Sequence, residues 1–242
     1  MALRPDWPVP DRVRACTTSR RGGVSRSPYV SLNLAGHVGD DPGAVAANRQ
    51  RVIRSLSLPA APVWMRQVHG TVVVDAAGAG PEPVADGAYT SRPGVVCAVL
   101  TADCLPLLLC TRAADAVAAV HVGWRGLAAG IIGEAAAALG GADLLAWLGP
   151  AIGPRAYEVG EEVVLALRRA VTDAPPEAFT AAGPGKWYVD LYALATCALA
   201  RAGVGAVYGG GRCTFADDRQ FYSYRRDGVT GRMATMIWLE ST

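Results

Sequence analysis

The protein has 242 residues, of which 51% are hydrophobic, and a formal net charge of +2 at pH 7. A chain of this length and apolar share can bury a substantial core, so the composition argues against a disordered protein. The charged residues are scattered along the chain instead of clustered. This distribution argues against a surface dedicated to nucleic acid or to an anionic membrane.

The sequence shows no targeting or membrane-spanning segment. Residues 1–23 are interrupted by proline and arginine and contain no apolar run of signal-peptide length. The longest apolar stretch, residues 94–110, contains Asp103 and Pro106 and is shorter than the ~20 residues that a membrane-spanning helix needs. The six cysteines include no CxxC pair and do not resemble a disulfide framework. We therefore expect a cytoplasmic protein.

The first predicted elements are a strand at residues 12–18 and a polar, glycine-rich loop at residues 19–41. A loop of this length is uncommon inside a compact domain and often has a function. Asp41 supplies an N-cap and Pro42 a first-turn proline. We expect a helix from this point to about Leu56.

The rest of the chain alternates short apolar runs with helical patterns. A helix is predicted after His121, ending at the glycines of residues 140 and 141, and two more at residues 161–170 and 189–202. We expect one α+β domain over residues 1–242. Predicted strands are residues 62–69, 71–75, 95–100, 106–110, 116–121 and 144–149, and residues 221–239 are predicted to form a hairpin with its turn at residues 227–231.

Two of the three histidines, together with one cysteine, stand at the ends of predicted strands: His69, Cys104 and His121. Side chains at strand ends along one sheet edge can meet in a common pocket. Two imidazoles and one thiolate suit zinc, and three protein ligands leave a position open to water or substrate, as in catalytic sites. From the residues alone, each side chain can equally be an ordinary buried or hydrogen-bonded one.

The turn after His121 is a second candidate site. Gly123 and Gly126 fall at the predicted helix start, where free amide groups and the helix dipole favour an anion, and Arg125 lies on the same turn. Phosphate binding and a plain strand-to-helix connection both fit this pattern. Asp103 is interpreted as a hydrogen-bond partner of a ligand histidine, and so as a candidate catalytic residue, or as a turn residue.

Other polar residues are candidate contacts for substrate or phosphate. Asn48 and Arg49 lie on the exposed face of the first predicted helix, and Gln67 precedes His69 by two residues. Arg49 ranks first because it follows the long polar loop. His37 is interpreted as a polar residue of that loop, with a substrate contact as the alternative.

Several motifs occur in a fixed order along almost the whole chain: TTSRRGGVS, RQVHG, ADGAYT, TADCLPLLL, HVGWRGLAAGI and LGPAIGP. On these motifs the chain resembles the YfiH/YlmD-like family, formerly described as multicopper polyphenol oxidases or laccase-domain proteins. The resemblance implies an α+β fold in which mixed sheets pack together and are flanked by helices.

The resemblance also implies a zinc site made by the histidine of QVHG, the cysteine of TADC and the histidine of HVGWRG, which are His69, Cys104 and His121. It further implies phosphorolysis of the purine nucleosides adenosine, inosine and methylthioadenosine, with deamination of adenosine in the same site. The H-x-E…P-C-x-x-C signature of zinc nucleobase deaminases is absent, so the resemblance leaves the general acid and base unidentified.

Three other chemistries remain as alternatives. A laccase needs a trinuclear copper cluster with many histidine ligands, and three histidines are too few, but a single copper ion in a His₂Cys site remains as a minor alternative. Cys104 can instead act as a metal-free nucleophile activated by a neighbouring histidine. One branch of the family is associated with amide hydrolysis in the editing of peptidoglycan precursors.

Overall fold

Three β-sheets organise the computed structural model of the protein, which describes residues 2–141 and 143–241. The outermost predicted domain bounds, residues 1 and 242, lie outside these ranges. The strands are β1 (Ala2–Leu3), β2 (Val13–Thr18), β3 (Val73–Asp75), β4 (Gly87–Thr90), β5 (Cys97–Thr101), β6 (Leu105–Thr111), β7 (Val117–Val122), β8 (Leu144–Leu148), β9 (Glu158–Gly160), β10 (Phe179–Gly183), β11 (Lys186–Val189), β12 (Ala206–Gly209) and β13 (Met233–Leu239).

The two larger sheets differ in strand direction. A four-stranded antiparallel sheet has the order β1-β2-β13-β5. A six-stranded mixed sheet has the order β12-β8-β6-β7-β4-β3, with a parallel pair at each end and antiparallel pairs between. The third sheet is small and has the order β10-β11-β9. The predicted α+β class with mixed sheets is confirmed.

Six α-helices accompany these sheets in the described ranges, and none of them is long and apolar enough to cross a membrane. The first begins at Pro42 after an N-cap in which the Asp41 carboxylate accepts from the amide of Gly43, as the sequence predicts. The helices are α1 (Pro42–Ser55), α2 (Trp124–Ala129), α3 (Ile131–Ala138), α4 (Glu161–Ala170), α5 (Leu191–Arg201) and α6 (Tyr224–Asp227), with a 3₁₀ turn at Pro176–Ala178.

The six-stranded sheet is apolar on both faces, which explains its nearly continuous hydrophobic runs. In β6, Leu105, Leu107 and Leu109 face the helices α2 to α5. The alternate residues Leu108 and Cys110 pack against the four-stranded sheet. The molecule is therefore layered, with helices on one sheet and that sheet on another.

The four-stranded sheet carries the same alternation. In β5, Cys97 and Val99 face the six-stranded sheet, while Ala98 and Leu100 face the opposite side. That outer side is covered by α1, through Val52, and by the long loop of residues 19–41. The loop is thus part of the core packing.

Two predicted elements are wrong. Residues 62–69 form no strand and make only isolated bridges, at Val63 and Arg66. They run beside the free edge of β5, where the Gln67 side chain donates to the carbonyl of Leu100 and accepts from its amide. A side chain therefore supplies the hydrogen bonds that a neighbouring strand would give.

The predicted C-terminal hairpin is the second error, because only its last strand, β13, exists. Its first half instead ends in the four-residue helix α6, where the Ser223 hydroxyl accepts from the amide of Arg226 as an N-cap.

The helix predicted after His121 is also divided, into α2 and α3, since Gly130 adopts a left-handed conformation with φ of 95°.

Asn48 fastens the long loop to α1. It is completely buried, and its Oδ1 accepts from the amide of Val24 at 2.8 Å. Its Nδ2 donates to the Ser25 hydroxyl at 2.8 Å and to the carbonyls of Ser31 and Asn33 at 3.2 and 2.9 Å. Asn48 is predicted from sequence to contact substrate or phosphate, but these bonds occupy the whole amide group.

Replacing Asn48 with alanine should destabilise the protein by roughly 2–4 kcal/mol, because several buried loop groups would lose their partners. Urea or thermal unfolding followed by circular dichroism measures this change. Gln50→Ala is the matched control on the exposed side of α1 and should change stability by less than about 0.5 kcal/mol. Equal stability of the two variants would show that Asn48 does not hold the loop.

Candidate active site

The site lies where the chain passes from one large sheet to the other. Strand β5 belongs to the four-stranded sheet and β6 to the six-stranded sheet, and residues 102–104 connect them. Cys104 is the last residue of this connection. Asp103 has φ of 95°, and its carboxylate accepts from the Thr214 hydroxyl at 2.6 Å and from the Arg225 amide at 2.7 Å. These bonds hold the connection in one conformation.

The three predicted ligand residues meet at this crossing. One ligand atom from each of His69, Cys104 and His121 lies within 4.8 Å of the others. The Cys104 sulfur is 3.8 Å from Nε2 of His69, and the two imidazole rings are 4.7 Å apart between centroids at an angle of 76°. Residues from a loop, a sheet-to-sheet connection and strand β7 thus form a group that could bind a metal ion.

The buried carboxylate of Asp86 fixes the positions of both histidines. Its Oδ1 lies 2.8 Å from Nδ1 of His121 and also accepts from the amide of His69 at 2.9 Å. Its Oδ2 accepts from the amides of Val68 and Gly70 at 3.1 and 2.7 Å. The three amide bonds hold His69 in a left-handed conformation with φ of 61°. The bond to Nδ1 leaves Nε2 of His121 available as a ligand atom.

Asp86 is therefore the hydrogen-bond partner of a candidate ligand histidine, the role that the sequence analysis gives to Asp103. In the described residues, Asp103 hydrogen-bonds to Thr214 and to the backbone of Arg225 and makes no hydrogen bond to a histidine. The partner of the ligand histidine comes from the start of β4, because the pairing of Gly87 with Val120 places Asp86 beside His121.

Mutual interactions in this group shift the pKa values of Cys104 and His121. Burial alone would raise the pKa of the Cys104 thiol, but the charge of His121 and hydrogen bonds to both histidines outweigh it and lower the pKa to about 6. Burial would lower the pKa of His121, yet the Cys104 thiolate and Asp86 raise it to about 9. Without metal, the group therefore favours a thiolate beside a protonated imidazole.

Gly123 is required by the close approach of His69 and Cys104. A Cβ atom at this position would lie 2.5 Å from Cδ2 of His69 and 3.4 Å from the sulfur of Cys104. The side chain of any other residue would push these two side chains apart. From sequence, a glycine at position 123 suggests anion binding at the following helix start. In the structure, the glycine is explained by the lack of space for a Cβ atom.

A cavity of about 360 Å³ opens onto His69, Cys104 and His121. Its other polar lining residues include His37, Thr101, Tyr224 and Arg232. The loop of residues 19–41 brings His37 to this cavity, which fits both the loop interpretation and a substrate contact. This volume is in the range of small-molecule sites.

Of three residues that the sequence predicts to contact substrate or phosphate, one lines the cavity and two do not. Gln67 lines the cavity, but its amide group is bonded to the Leu100 backbone. Arg49 donates to the carbonyl of Leu34 and stacks on Trp64 at 4.5 Å, and Arg125 is exposed and stacks on its neighbour Trp124 at 4.4 Å. Neither arginine is among the residues that line the described cavity.

Sequence reasoning missed Asp86, Thr101, Tyr224 and Arg232. Asp86 and Thr101 occur in the motifs ADGAYT and TADC, so their position within distinctive motifs is the one available signal. Tyr224 and Arg232 fall in the region wrongly predicted as a hairpin, and that error hid their position at the cavity.

Curated relatives resemble this chain over nearly its whole length. A protein of Pseudomonas aeruginosa named purine nucleoside phosphorylase is 52% identical, with 98% of each chain covered. The Escherichia coli protein named purine nucleoside phosphorylase YfiH is 50% identical, with 97% of each chain covered. The chain therefore spans these relatives almost completely.

Solved structures share the fold. A Neisseria meningitidis protein of the DUF152 family superposes with a TM-score of 0.95 at 49% identity, covering 99% of both chains. YlmD from Geobacillus stearothermophilus superposes with a TM-score of 0.91 at 34% identity, covering 99% of this chain and 96% of that one.

The sequence model described as multi-copper polyphenol oxidoreductase laccase matches residues 14–240. On this match and these relatives, the chain belongs to that laccase-domain family, which includes the YfiH and YlmD proteins.

Proposed function

We propose that the protein is a zinc-dependent purine nucleoside phosphorylase of the cytoplasm, acting on adenosine, inosine and methylthioadenosine. The observation that carries this proposal is the cavity of about 360 Å³ onto which His69, Cys104 and His121 open. The names of relatives about 50% identical over nearly the whole chain support the choice of substrate.

In the proposed reaction, an oxygen of hydrogen phosphate forms a bond to C1′ of the sugar as the bond from C1′ to the purine nitrogen breaks. The electrons of the broken bond leave with the purine, and the proton of hydrogen phosphate balances the proton that the purine gains. The products are the free base and the sugar 1-phosphate.

The donor set fits zinc, with one thiolate and two imidazoles close enough to share an ion. The lowered pKa of Cys104 supplies the thiolate, and Asp86 orients His121 so that Nε2 faces the site. A zinc ion held there would act as a Lewis acid that polarises a substrate oxygen or activates water. Asp86 positions the ligands and does not touch the reacting atoms.

Deamination of adenosine in the same cavity is part of the proposal. In this reaction water adds to C6 of the purine and ammonia leaves, so the net change is replacement of an amino group by oxygen. Ammonia release distinguishes it from phosphorolysis, which consumes phosphate and releases a free base.

Turnover with inosine and phosphate tests the proposed activity. The purified protein should contain about one zinc per chain and release hypoxanthine and ribose 1-phosphate only when phosphate is present. Cys104→Ser should lose most of the zinc and at least about 100-fold in kcat/KM, because a thiolate ligand is removed. Liquid chromatography of products and elemental analysis of the protein measure both quantities.

Cys197→Ser is the matched control, since Cys197 lies on α5 outside the site. It should keep both zinc and activity. Base release that does not depend on phosphate would show that the enzyme hydrolyses the nucleoside and does not phosphorolyse it. Full zinc content and full activity in Cys104→Ser would remove Cys104 from the site.

A metal-free cysteine nucleophile is the second candidate mechanism, because the low pKa of Cys104 beside two histidines also suits nucleophilic catalysis. The two mechanisms differ in the effect of metal. A resident ion makes the thiolate a ligand and blocks its reactions, whereas a nucleophile must remain free. The accessibility of the sulfur with and without zinc therefore separates them.

In metal-free protein, Cys104 should react with iodoacetamide with a midpoint near pH 6, because its thiolate fraction rises as the pH passes through the lowered pKa. Added zinc should prevent this reaction. Buried Cys16 and Cys110, whose pKa values burial raises to about 12, should stay unmodified at neutral pH. Mass spectrometry of peptides measures each site.

Two results would count against the proposal. Alkylation of Cys104 that continues unchanged with saturating zinc would show that the sulfur is not a ligand. Full turnover after complete removal of metal would favour the free thiolate nucleophile.

A further inference from the structure

The cavity beside His69, Cys104 and His121 contains one permanent positive charge, that of Arg232. Among the described residues that line it, Arg232 is the only one whose side chain is always charged, and none is an aspartate or glutamate. Within the described ranges, Arg232 takes part in no salt bridge. Burial lowers the pKa of Arg232, although the nearby Cys104 thiolate and Asp103 act in the opposite direction. The cation is therefore poorly solvated.

The Arg232 guanidinium is only partly used by the protein. Its Nη1 donates to the carbonyls of Thr230 and Gly231 at 2.9 and 3.1 Å. Nε and Nη2 donate to no acceptor in the part of the chain that the structure describes. A partly buried guanidinium with two free donor groups matches a planar pair of anionic oxygens.

The backbone holds Arg232 at this position. Its amide donates to Oδ1 of Asn33 at 2.9 Å, and its carbonyl accepts from the amide of Leu34. The side chain packs near Tyr224, with the guanidinium carbon 5.7 Å from the ring centroid. The free donors are therefore presented by a fixed segment, which limits the entropy lost on binding.

A second unsatisfied group lines the same cavity. Thr101 is 2% exposed, and its hydroxyl has no hydrogen-bond partner among the described residues. A buried hydroxyl without a partner is costly, so its presence indicates a polar ligand. The two unsatisfied groups, Thr101 and Arg232, are both lining residues of the cavity that contains the three ligands.

We infer that Arg232 is the phosphate-binding residue of the cavity, holding inorganic phosphate through Nε and Nη2 next to the three-ligand group. This inference rests on the proposed phosphorylase function and names the binding site of its second substrate. It differs from the sequence-based hypothesis, which places phosphate at Arg125 or Arg49. Those side chains stack on Trp124 and Trp64 and are not among the described residues that line the cavity.

Arg232→Gln tests the inference in the zinc-loaded enzyme. We expect the KM for phosphate to rise about 10-fold or more, because two charge-assisted hydrogen bonds are lost, while the KM for inosine changes much less. Arg232→Lys should recover part of the loss, since it keeps the charge without the paired donors. In calorimetric titration of zinc-loaded protein with inorganic phosphate, the affinity should fall from wild type to Arg232→Lys and further to Arg232→Gln.

Arg169→Gln is the matched control, because it removes one exposed arginine from α4 and changes the net charge equally. It should leave both KM values unchanged. The melting temperature and zinc content of every variant separate loss of phosphate binding from loss of structure. Arg125→Gln tests the rival position, and a rise in phosphate KM there but not in Arg232→Gln would overturn the inference.

Failure of the proposed function gives a different result from failure of the inference. Wild-type protein that binds phosphate through Arg232 but releases no base would overturn phosphorolysis and keep the anion site. Wild-type protein that is active while Arg232→Gln keeps its phosphate affinity would overturn the site alone. Wild-type protein that binds no phosphate in calorimetry would also overturn the site.

Discussion

The buried carboxylate of Asp86 is the interaction on which the site depends. It accepts from three successive backbone amides around His69 and bonds to the ring of His121. One group therefore fixes the conformation of the loop at His69 and the orientation of the His121 ring on another strand. Hydrogen bonds to the charged form offset the cost of burial and lower the pKa of Asp86, so the carboxylate stays ionised.

The passage of the chain between two packed sheets creates the space around these ligands. Residues 102–104 leave one sheet and enter the other, so the ligand from this segment projects into the gap beside both histidines. The long loop, held by Asn48, and the segment around Arg232 close the same gap from the outside. Elements distant in sequence thus surround one cavity because the two sheets share a core.

The composition of the site limits the chemistry that the family description suggests. The chain has three histidines, and two of them already belong to the three-ligand group. Within the described residues, this is the single group of three or more metal-binding side chains. A cluster of several copper ions would need many more imidazoles, so the description of the family as multi-copper oxidoreductases does not fit the donors of this chain.

Local sequence signals were sufficient for much of the fold. The cap at Asp41, the apolar runs of the central strands and the scarcity of histidine identify α1, most sheet strands and the residues of the group that could bind a metal ion. These signals operate over a few residues or through residue chemistry alone. They failed for residues 62–69 and for α6, where a side chain or a short cap replaced the expected strand pairing.

Only the tertiary structure decided which polar groups serve the site. Asp86 meets His121 across 35 positions of sequence because β4 pairs with β7 in one register, and a shift of one residue would face Asp86 away. Asn48 and Arg232 are both polar residues. The side chain of Asn48 is fully hydrogen-bonded to the loop, whereas the guanidinium of Arg232 keeps donors that are not bonded to the described residues. The sequence by itself determined the chemistry of His69, Cys104 and His121, and long-range packing determined their partners and the cavity beside them.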